Sequence, residues 1–149
     1  MNNGGIRADL AAGPVTYGEL YEVEPFQNQL VTLTLTGAEL RDLLEQAVQP
    51  SGPTLEVAGA VVRYDPSRPA GRRIQGIKLQ GSRKLSSRER YLVSLPDYLA
   101  RGGDGFAALA AVPAAPTGVV DVDALRDFLR RLPQPVEVVP GSGFVSTRR

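Results

Sequence analysis

Residues 30–50 hold a strand pattern that leads directly into a helix pattern, and this pairing limits the possible folds more than any other feature of the chain. From Leu30 to Leu35, apolar side chains alternate with threonine, the period of two that predicts a half-buried β-strand. Thr36 and Glu39 then have the spacing of a capping box, and Pro50 ends the helix that follows. The apolar residues of that helix recur at helical spacing and are predicted to be core: Leu40, Leu43, Leu44, Ala47 and Val48.

Three further segments, residues 55–65, 73–79 and 90–96, predict strands separated by turn-forming stretches. Consecutive strands without long crossovers favour antiparallel pairing. A second main helix is predicted before Pro133, with a buried stripe made of Leu125, Phe128, Leu129 and Leu132. We therefore predict a single α+β domain over residues 1–139, in which a mixed, mainly antiparallel sheet packs with two main helices, and a flexible tail over residues 140–149.

The chain has 149 residues and contains neither histidine nor cysteine. These absences exclude Ser-His-Asp catalysis, histidine-based dinuclear metal centres, disulfides and cysteine zinc sites. A net charge of +1 gives no field that would capture nucleic acid, and no apolar run is long enough to span a membrane. Residues 1–15 lack the order of a secretory signal, and the polar glycine turn after Met1 leads us to expect a chain that starts inside a longer protein. A complete catalyst is therefore not expected.

Two segments near the start of the chain carry groups that a structural role alone does not require. In Asn2-Asn3-Gly4-Gly5-Ile6-Arg7, glycines allow the backbone to approach a ligand, and Asn2 and Arg7 would supply donors; the alternative is a plain turn. In Glu24-Pro25-Phe26-Gln27-Asn28, one aromatic ring lies in a loop. Phe26 either stacks on a flat ligand or plugs the end of the core.

A third segment, Asp97-Tyr98-Leu99-Ala100-Arg101-Gly102-Gly103-Asp104-Gly105-Phe106, follows a predicted strand and places one aspartate among glycines. Such a loop fixes the direction of Asp104, and Tyr98 lies close enough to share its site. Asp104 either accepts hydrogen bonds from ribose hydroxyls or a base edge, or caps its own turn. A metal site is not expected, because a lone aspartate lacks the clustered oxygen ligands that calcium or magnesium requires.

Together with Tyr17-Gly18-Glu19-Leu20-Tyr21, Gly59 and Tyr64-Asp65-Pro66-Ser67-Arg68-Pro69, these three segments closely resemble, in order and spacing, the C-terminal domain of the 5′-nucleotidase family. The resemblance covers nearly the whole chain and thins after about Leu109. In that family an N-terminal metallophosphoesterase domain with two divalent metal ions cleaves the phosphate ester, while the C-terminal domain holds the nucleoside. The resemblance implies a nucleoside- or nucleotide-binding domain of a phosphoester hydrolase of nucleotide catabolism, inactive without its catalytic domain.

The resemblance also implies roles for individual residues. Phe26 and Tyr98 would sandwich the base, and Asp104, in the loop with Gly103, would accept hydrogen bonds from the ribose hydroxyls. Asn2 would contact the base, and Arg7 the ribose or phosphate side. Tyr98 stands where phenylalanine is expected, which adds a hydroxyl that needs a partner. No catalytic residue, metal or cofactor is expected in this chain, and the family is typically periplasmic, secreted or at the cell surface.

Two other functions remain open on the sequence. A non-catalytic interaction module would keep the fold and bind protein or glycan through the same loops. The family pattern includes a helix and a substrate-binding arginine before the Asn-Gly-Gly segment, which leads us to expect an incomplete site and makes this alternative conceivable. A carboxylate glycosidase would need two opposed acids in a cleft, and the spacing of Asp9, Asp97 and Asp104 does not favour that arrangement.

Overall fold

The computed structural model describes residues 1–137 and 143–148. The helices of these ranges are α1 (Tyr17–Val23), α2 (Gly37–Ala47), α3 (Asp97–Ala100) and α4 (Asp121–Arg131). The strands are β1 (Gln29–Thr36), β2 (Val48–Gln49), β3 (Gly52–Pro53), β4 (Ala60–Tyr64), β5 (Ile74–Leu79), β6 (Arg90–Pro96), β7 (Ala114–Val120) and β8 (Phe144–Ser146). None of the helices in this part of the chain combines the length and apolar content that crossing a bilayer requires.

The strands form two three-stranded sheets and a short hairpin of β2 and β3. In the first sheet β1 lies between β6 and β7, and both pairings are antiparallel. In the second sheet β4 pairs antiparallel with β5 and parallel with β8. The predicted α+β class with mixed, mainly antiparallel pairing is confirmed, and the strands are divided between two sheets that share one core.

The unit formed by β1 and α2 agrees with its sequence pattern. Val31, Leu33 and Leu35 of β1 are buried, while the intervening threonines are more exposed. The Thr36 hydroxyl accepts from the Glu39 backbone N–H at 3.3 Å, and the Glu39 carboxylate accepts from the Thr36 N–H at 2.7 Å. The capping box is therefore present, and it sets the start of α2 directly after β1.

The charge of Glu39 gives this cap a pH dependence. Hydrogen bonds from the Thr36 backbone N–H and hydroxyl hold the pKa of Glu39 below its ordinary value. A carboxyl whose pKa is lowered by folding stabilises the folded state above its unfolded pKa, about 4.3, and this contribution is lost as the pH falls through the folded pKa. We expect Glu39→Gln to lower the melting temperature at neutral pH, with a difference from the parent chain that shrinks at acid pH. Thermal unfolding across a pH series measures this, and a difference that does not change with pH would contradict it.

The buried face of α2 packs on β5 through polar contacts as well as apolar ones. Leu44 and Ala47 are buried as predicted, and Leu40 and Leu43 are partly buried. Val48 is also buried, but it lies in β2, because α2 ends at Ala47 rather than just before Pro50 as the sequence predicts. The buried Glu45 carboxylate accepts the backbone N–H groups of Arg73 and Ile74 at 2.7 and 2.8 Å. Because a buried carboxylate is stable only with such donors, these contacts fix α2 against the start of β5.

The prediction that α4 buries an apolar stripe is wrong. Phe128 is 58% exposed, and Leu125, Leu129 and Leu132 are only half-buried. The helix instead packs at its first turn, where Val122 is 1% exposed. On α1, Tyr17 donates to Asp123 and lies under the Arg126 guanidinium at 5.9 Å from the ring centre. Polar and cation–π contacts with α1 therefore take the place of a continuous apolar seam.

The prediction of a flexible tail over residues 140–149 is wrong for the strand β8. Phe144 is 5% exposed, and its ring meets that of Tyr64 edge to face at 6.0 Å. Long-range pairing with β4 orders this segment, a contact that the local pattern of a polar, glycine-containing stretch does not contain. Residues 140–142 and 149, and the predicted domain boundary at residue 139, lie outside the described residues.

Candidate functional site

Four of the predicted site residues, Asn2, Tyr98, Gly103 and Asp104, meet at one place, which we call the Asp104 cluster. The Asn2 side-chain amide donates to Oδ2 of Asp104 at 2.7 Å, and the Tyr98 hydroxyl donates to Oδ1 at 2.8 Å. The Asp104 backbone N–H donates in turn to the Tyr98 oxygen at 3.3 Å. An alanine Cβ at Gly103 would lie 2.5 Å from the Tyr98 ring. Both oxygens of the Asp104 carboxylate are thus held by donors from other parts of the chain.

The backbone at Asp104 is in the left-handed region, with φ of 51°. A non-glycine residue there costs about 1–3 kcal/mol and persists only where its surroundings hold it. Phe106, 2% exposed, fixes the end of the loop in the core, and Gln46 of α2 donates to the Gly105 carbonyl at 2.7 Å. The Asp104 carboxylate bonds to Asn2 and Tyr98, two residues outside its turn, which opposes the alternative of a simple turn cap.

The segment that carries Asn2 is held by distant backbone. Asn3 donates its backbone N–H to the Thr54 carbonyl at 2.9 Å and its side-chain amide to the Pro53 carbonyl at 3.1 Å. Asn2 is 6% exposed, so its amide is directed into the protein toward Asp104. This bond to Asp104 uses one of the two protons of the Asn2 amide. The contact between Asn2 and a base stays a prediction.

Arg7 does not join the Asp104 cluster. Its backbone N–H donates to the Val23 carbonyl at 2.8 Å, which ties this segment to the end of α1. Its guanidinium is exposed and donates a long hydrogen bond, 3.4 Å, to the Gly4 carbonyl. The side chain is free to reach an anion, and its predicted role at the ribose or phosphate stays a prediction.

Phe26 is 57% exposed and makes no ring contact within the described part of the chain. The alternative that it plugs the core is therefore wrong. Its loop is tied to the loop of Tyr98, because the Gln29 backbone N–H donates to Asp97 Oδ1 at 3.1 Å, next to Tyr98. Asn28 is also held, since both its backbone and side-chain N–H groups donate to Asp121, at 3.1 and 3.0 Å. The fold presents Phe26 on a fixed loop.

Two carboxylates that the sequence did not single out as positioning groups, Glu24 and Asp121, are buried beneath this loop, 8% and 4% exposed. Burial raises the pKa of Glu24, and the nearby Asp121 carboxylate raises it further. Asp121 also accepts the Val122 N–H at the start of α4. Asp97 pairs with Arg101 at 2.8 Å, which engages one of the acids that a glycosidase would need. Asp121 therefore acts as a structural acceptor for Asn28 and Val122, a role visible only once residues distant in sequence meet.

The concave surfaces divide into one large apolar groove and smaller polar ones. The groove, about 1040 Å³, lies between α2, β6 and α4 and is lined mostly by aliphatic and aromatic side chains such as Leu43, Leu92 and Phe128. Asp104 faces a concavity of about 430 Å³, and Tyr98 and Gly103 face another of about 410 Å³. We place the candidate site at the smaller pair, because a binding site needs convergent polar groups as well as apolar walls.

The described residues do not bring together three or more aspartate and glutamate side chains in a way that could hold a metal ion. With histidine and cysteine absent from the sequence, the donor set does not fit a dinuclear metal centre. We therefore derive no chemical step through a metal on the described residues.

Comparison with known proteins agrees with the α+β fold. Residues 1–111 match the model of the family described as 5′-nucleotidase, C-terminal domain. A 5′-nucleotidase of Vibrio vulnificus is 35% identical over 135 residues, which are 88% of this chain and 23% of that protein. The crystal structure of a 5′-nucleotidase precursor from Thermus thermophilus superimposes with a TM-score of 0.89 at 34% identity, covering 99% of this chain and 31% of that one.

A second solved structure, the NAD nucleotidase of Haemophilus influenzae, has a TM-score of 0.84 at 25% identity and covers 97% of this chain and 28% of that one. The chain spans about a quarter of the length of several curated relatives, 23% and 24% in two of them, and about a tenth of others, 11% and 10% in two. The matched range of the family model, residues 1–111, covers the whole Asp104 cluster together with Phe26. The chain belongs to the family of 5′-nucleotidase C-terminal domains.

Proposed function

We propose that this domain binds the nucleoside part of a nucleotide for a 5′-nucleotidase-type phosphoester hydrolase. The observation that carries the proposal is a pair of exposed aromatic rings, Phe26 and Tyr98, beside an oriented carboxylate, Asp104. The loop of Phe26 is bonded through Gln29 to Asp97, the residue that precedes Tyr98. A nucleoside offers a flat apolar base and a ribose with hydroxyl donors. Two rings and one acceptor match these two parts.

Each of these side chains would make a different kind of contact with the nucleoside. Stacking on aromatic rings tolerates any base, so Phe26 and Tyr98 would supply affinity. Asp104 accepts hydrogen bonds only, and would fix the sugar and with it the position of the 5′ ester. Arg7, with its exposed guanidinium, would lie on the ribose or phosphate side.

We further propose that hydrolysis takes place in a metallophosphoesterase domain of the same protein, outside this chain, with two divalent metal ions held there. The protein would act in nucleotide catabolism in the periplasm, outside the cell or at its surface. The description of the Thermus thermophilus relative as a precursor supports a protein that is processed.

Phe26→Ala tests the stacking role. We expect the affinity for adenosine to fall about tenfold or more, because a stacked base contributes about 1–3 kcal/mol. Folding should be unaffected, since the side chain is 57% exposed and makes no ring contact in the described ranges. Calorimetric and NMR titration of the folded chain with adenosine and with AMP measure the effect.

Phe128→Ala is the matched control, because Phe128 is also a largely exposed phenylalanine, at 58%, but lies on α4 away from the Asp104 cluster. It should leave adenosine binding unchanged. Equal losses in the two variants would oppose the assignment of Phe26, and no response of the folded parent chain to millimolar adenosine would overturn the proposed function.

The alternative of a non-catalytic interaction module has one observation in its favour. Leu92, 74% exposed, and Phe128 both border the large apolar groove. Exposed apolar surface of this kind marks contact sites for other proteins or domains. A chain that ignores adenosine and AMP but binds a protein or glycan through this groove would establish the alternative instead.

A further inference from the structure

Tyr98 carries a hydroxyl that base stacking does not use. A phenylalanine ring presents the same face to a base, so the oxygen needs a separate explanation. In the folded chain it donates to Asp104 Oδ1 at 2.8 Å and accepts the Asp104 backbone N–H at 3.3 Å. Among the described residues, the hydrogen bonds of this oxygen are therefore made with Asp104, through both its side chain and its backbone.

The opposite carboxylate oxygen, Oδ2, is held by Asn2 at 2.7 Å. Each carboxylate oxygen has two lone-pair sites, so one internal donor on each leaves one acceptor site free on each. Both acceptor sites belong to one carboxylate, which cannot rotate without breaking a short bond. This is the acceptor arrangement that suits two neighbouring donors, such as the hydroxyls of a vicinal diol.

The position of the Tyr98 ring is fixed as well. An alanine Cβ at Gly103 would come within 2.5–2.7 Å of three ring atoms, so the ring lies directly on the glycine backbone. The ring is 44% exposed, which leaves surface for a ligand while the hydroxyl stays on Asp104. One side chain can thus stack on a base and orient the acceptor for the sugar.

We propose that the Tyr98 hydroxyl is a specificity-determining positioning group, which holds the Asp104 carboxylate for a vicinal diol and so favours ribonucleosides over 2′-deoxyribonucleosides. The inference rests on the proposed function. Without the hydroxyl, the carboxylate is held on one side only, and its second oxygen turns to solvent. The affinity for a nucleoside with one sugar hydroxyl is then only a little lower than the affinity for a nucleoside with two.

A double-mutant cycle tests this inference with adenosine and 2′-deoxyadenosine as ligands of Tyr98→Phe, Asp104→Ala and the double variant. We expect the parent chain to prefer adenosine by about tenfold or more, since a hydrogen bond to a charged group is worth that factor, and Tyr98→Phe to reduce the preference severalfold. In the Asp104→Ala background, Tyr98→Phe should change neither affinity. Tyr17→Phe is the matched control. The Tyr17 hydroxyl also donates to a carboxylate, that of Asp123, but this pair joins α1 to α4.

A second measurement needs no ligand. The Asp104 backbone N–H donates to the Tyr98 oxygen, so its amide NMR resonance should shift in Tyr98→Phe and stay unchanged in Tyr17→Phe. An unchanged adenosine preference in a Tyr98→Phe chain that binds both nucleosides would overturn this inference and leave the proposed function standing, as would losses that simply add in the double variant. A folded parent chain that binds neither nucleoside would overturn both.

Discussion

Gly37→Ala is expected to lower the free energy of unfolding by about 3 kcal/mol or more, or to prevent folding, because it adds a methyl group where the core has no space. Gly37 is the buried first residue of α2, and a Cβ there would overlap the backbone carbonyl of Ser86. That carbonyl cannot move aside easily, since Gly37 and Ala38 donate their N–H groups to the carbonyls of Glu89 and Ser87, at 2.9 and 3.1 Å.

Gly18→Ala provides the comparison, because Gly18 also lies in the first turn of a helix that begins with a capping box. Its Cβ would have Thr16 Oγ1 as nearest neighbour, at 3.9 Å. Alanine there should stabilise the chain by up to about 1 kcal/mol, the difference in helix propensity. Urea unfolding of both variants gives the two values, and a Gly37→Ala chain as stable as the parent would show that residues 86–89 are not held against α2.

The elements that the sequence predicts well are those whose signals are local. The strand-to-helix unit of β1 and α2 depends on a period of two, a capping box and a proline, and all lie within residues 30–50. The strand β7 was missed because Ala114–Val120 is rich in alanine, valine and small turn residues and carries Pro116. It is ordered by pairing with β1 at the edge of a sheet, where proline is tolerated.

In the candidate site, too, the features with local sequence signals are predicted and those that depend on long-range contacts are not. The aspartate, the glycines and the exposed ring are visible as loop residues, and the expectation that the Tyr98 hydroxyl needs a partner is confirmed by its bond to Asp104. The partner of Asp104 on its other side, Asn2, is 102 positions away, and no spacing rule connects them. The backbone of Arg7 is held by Val23, and the loop of Phe26 is held through Gln29 and Asp97. The positions of Arg7 and Phe26 relative to the Asp104 cluster therefore depend on the tertiary fold.

Gly103→Ala is expected to weaken adenosine binding about a hundredfold in a chain that still folds. An alanine Cβ at 2.5 Å from the Tyr98 ring forces the ring away from the loop, and the Tyr98 hydroxyl then leaves Asp104. One methyl group thus removes a stacking surface and the orientation of the acceptor together. Two such losses, each about tenfold or more, place the affinity about a hundredfold below that of the parent.

The fold should tolerate this change, because the φ of Gly103 is outside the left-handed region and the displaced ring is already 44% exposed. Gly76→Ala is the matched control. Gly76 lies in β5, outside the Asp104 cluster, and an alanine Cβ there would meet no atom within 4 Å. Thermal unfolding and adenosine titration of both variants separate binding from stability. Normal adenosine affinity in Gly103→Ala would show that the ring and the hydroxyl of Tyr98 do not contribute to a nucleoside site, since a site that depends on their position does not survive their displacement.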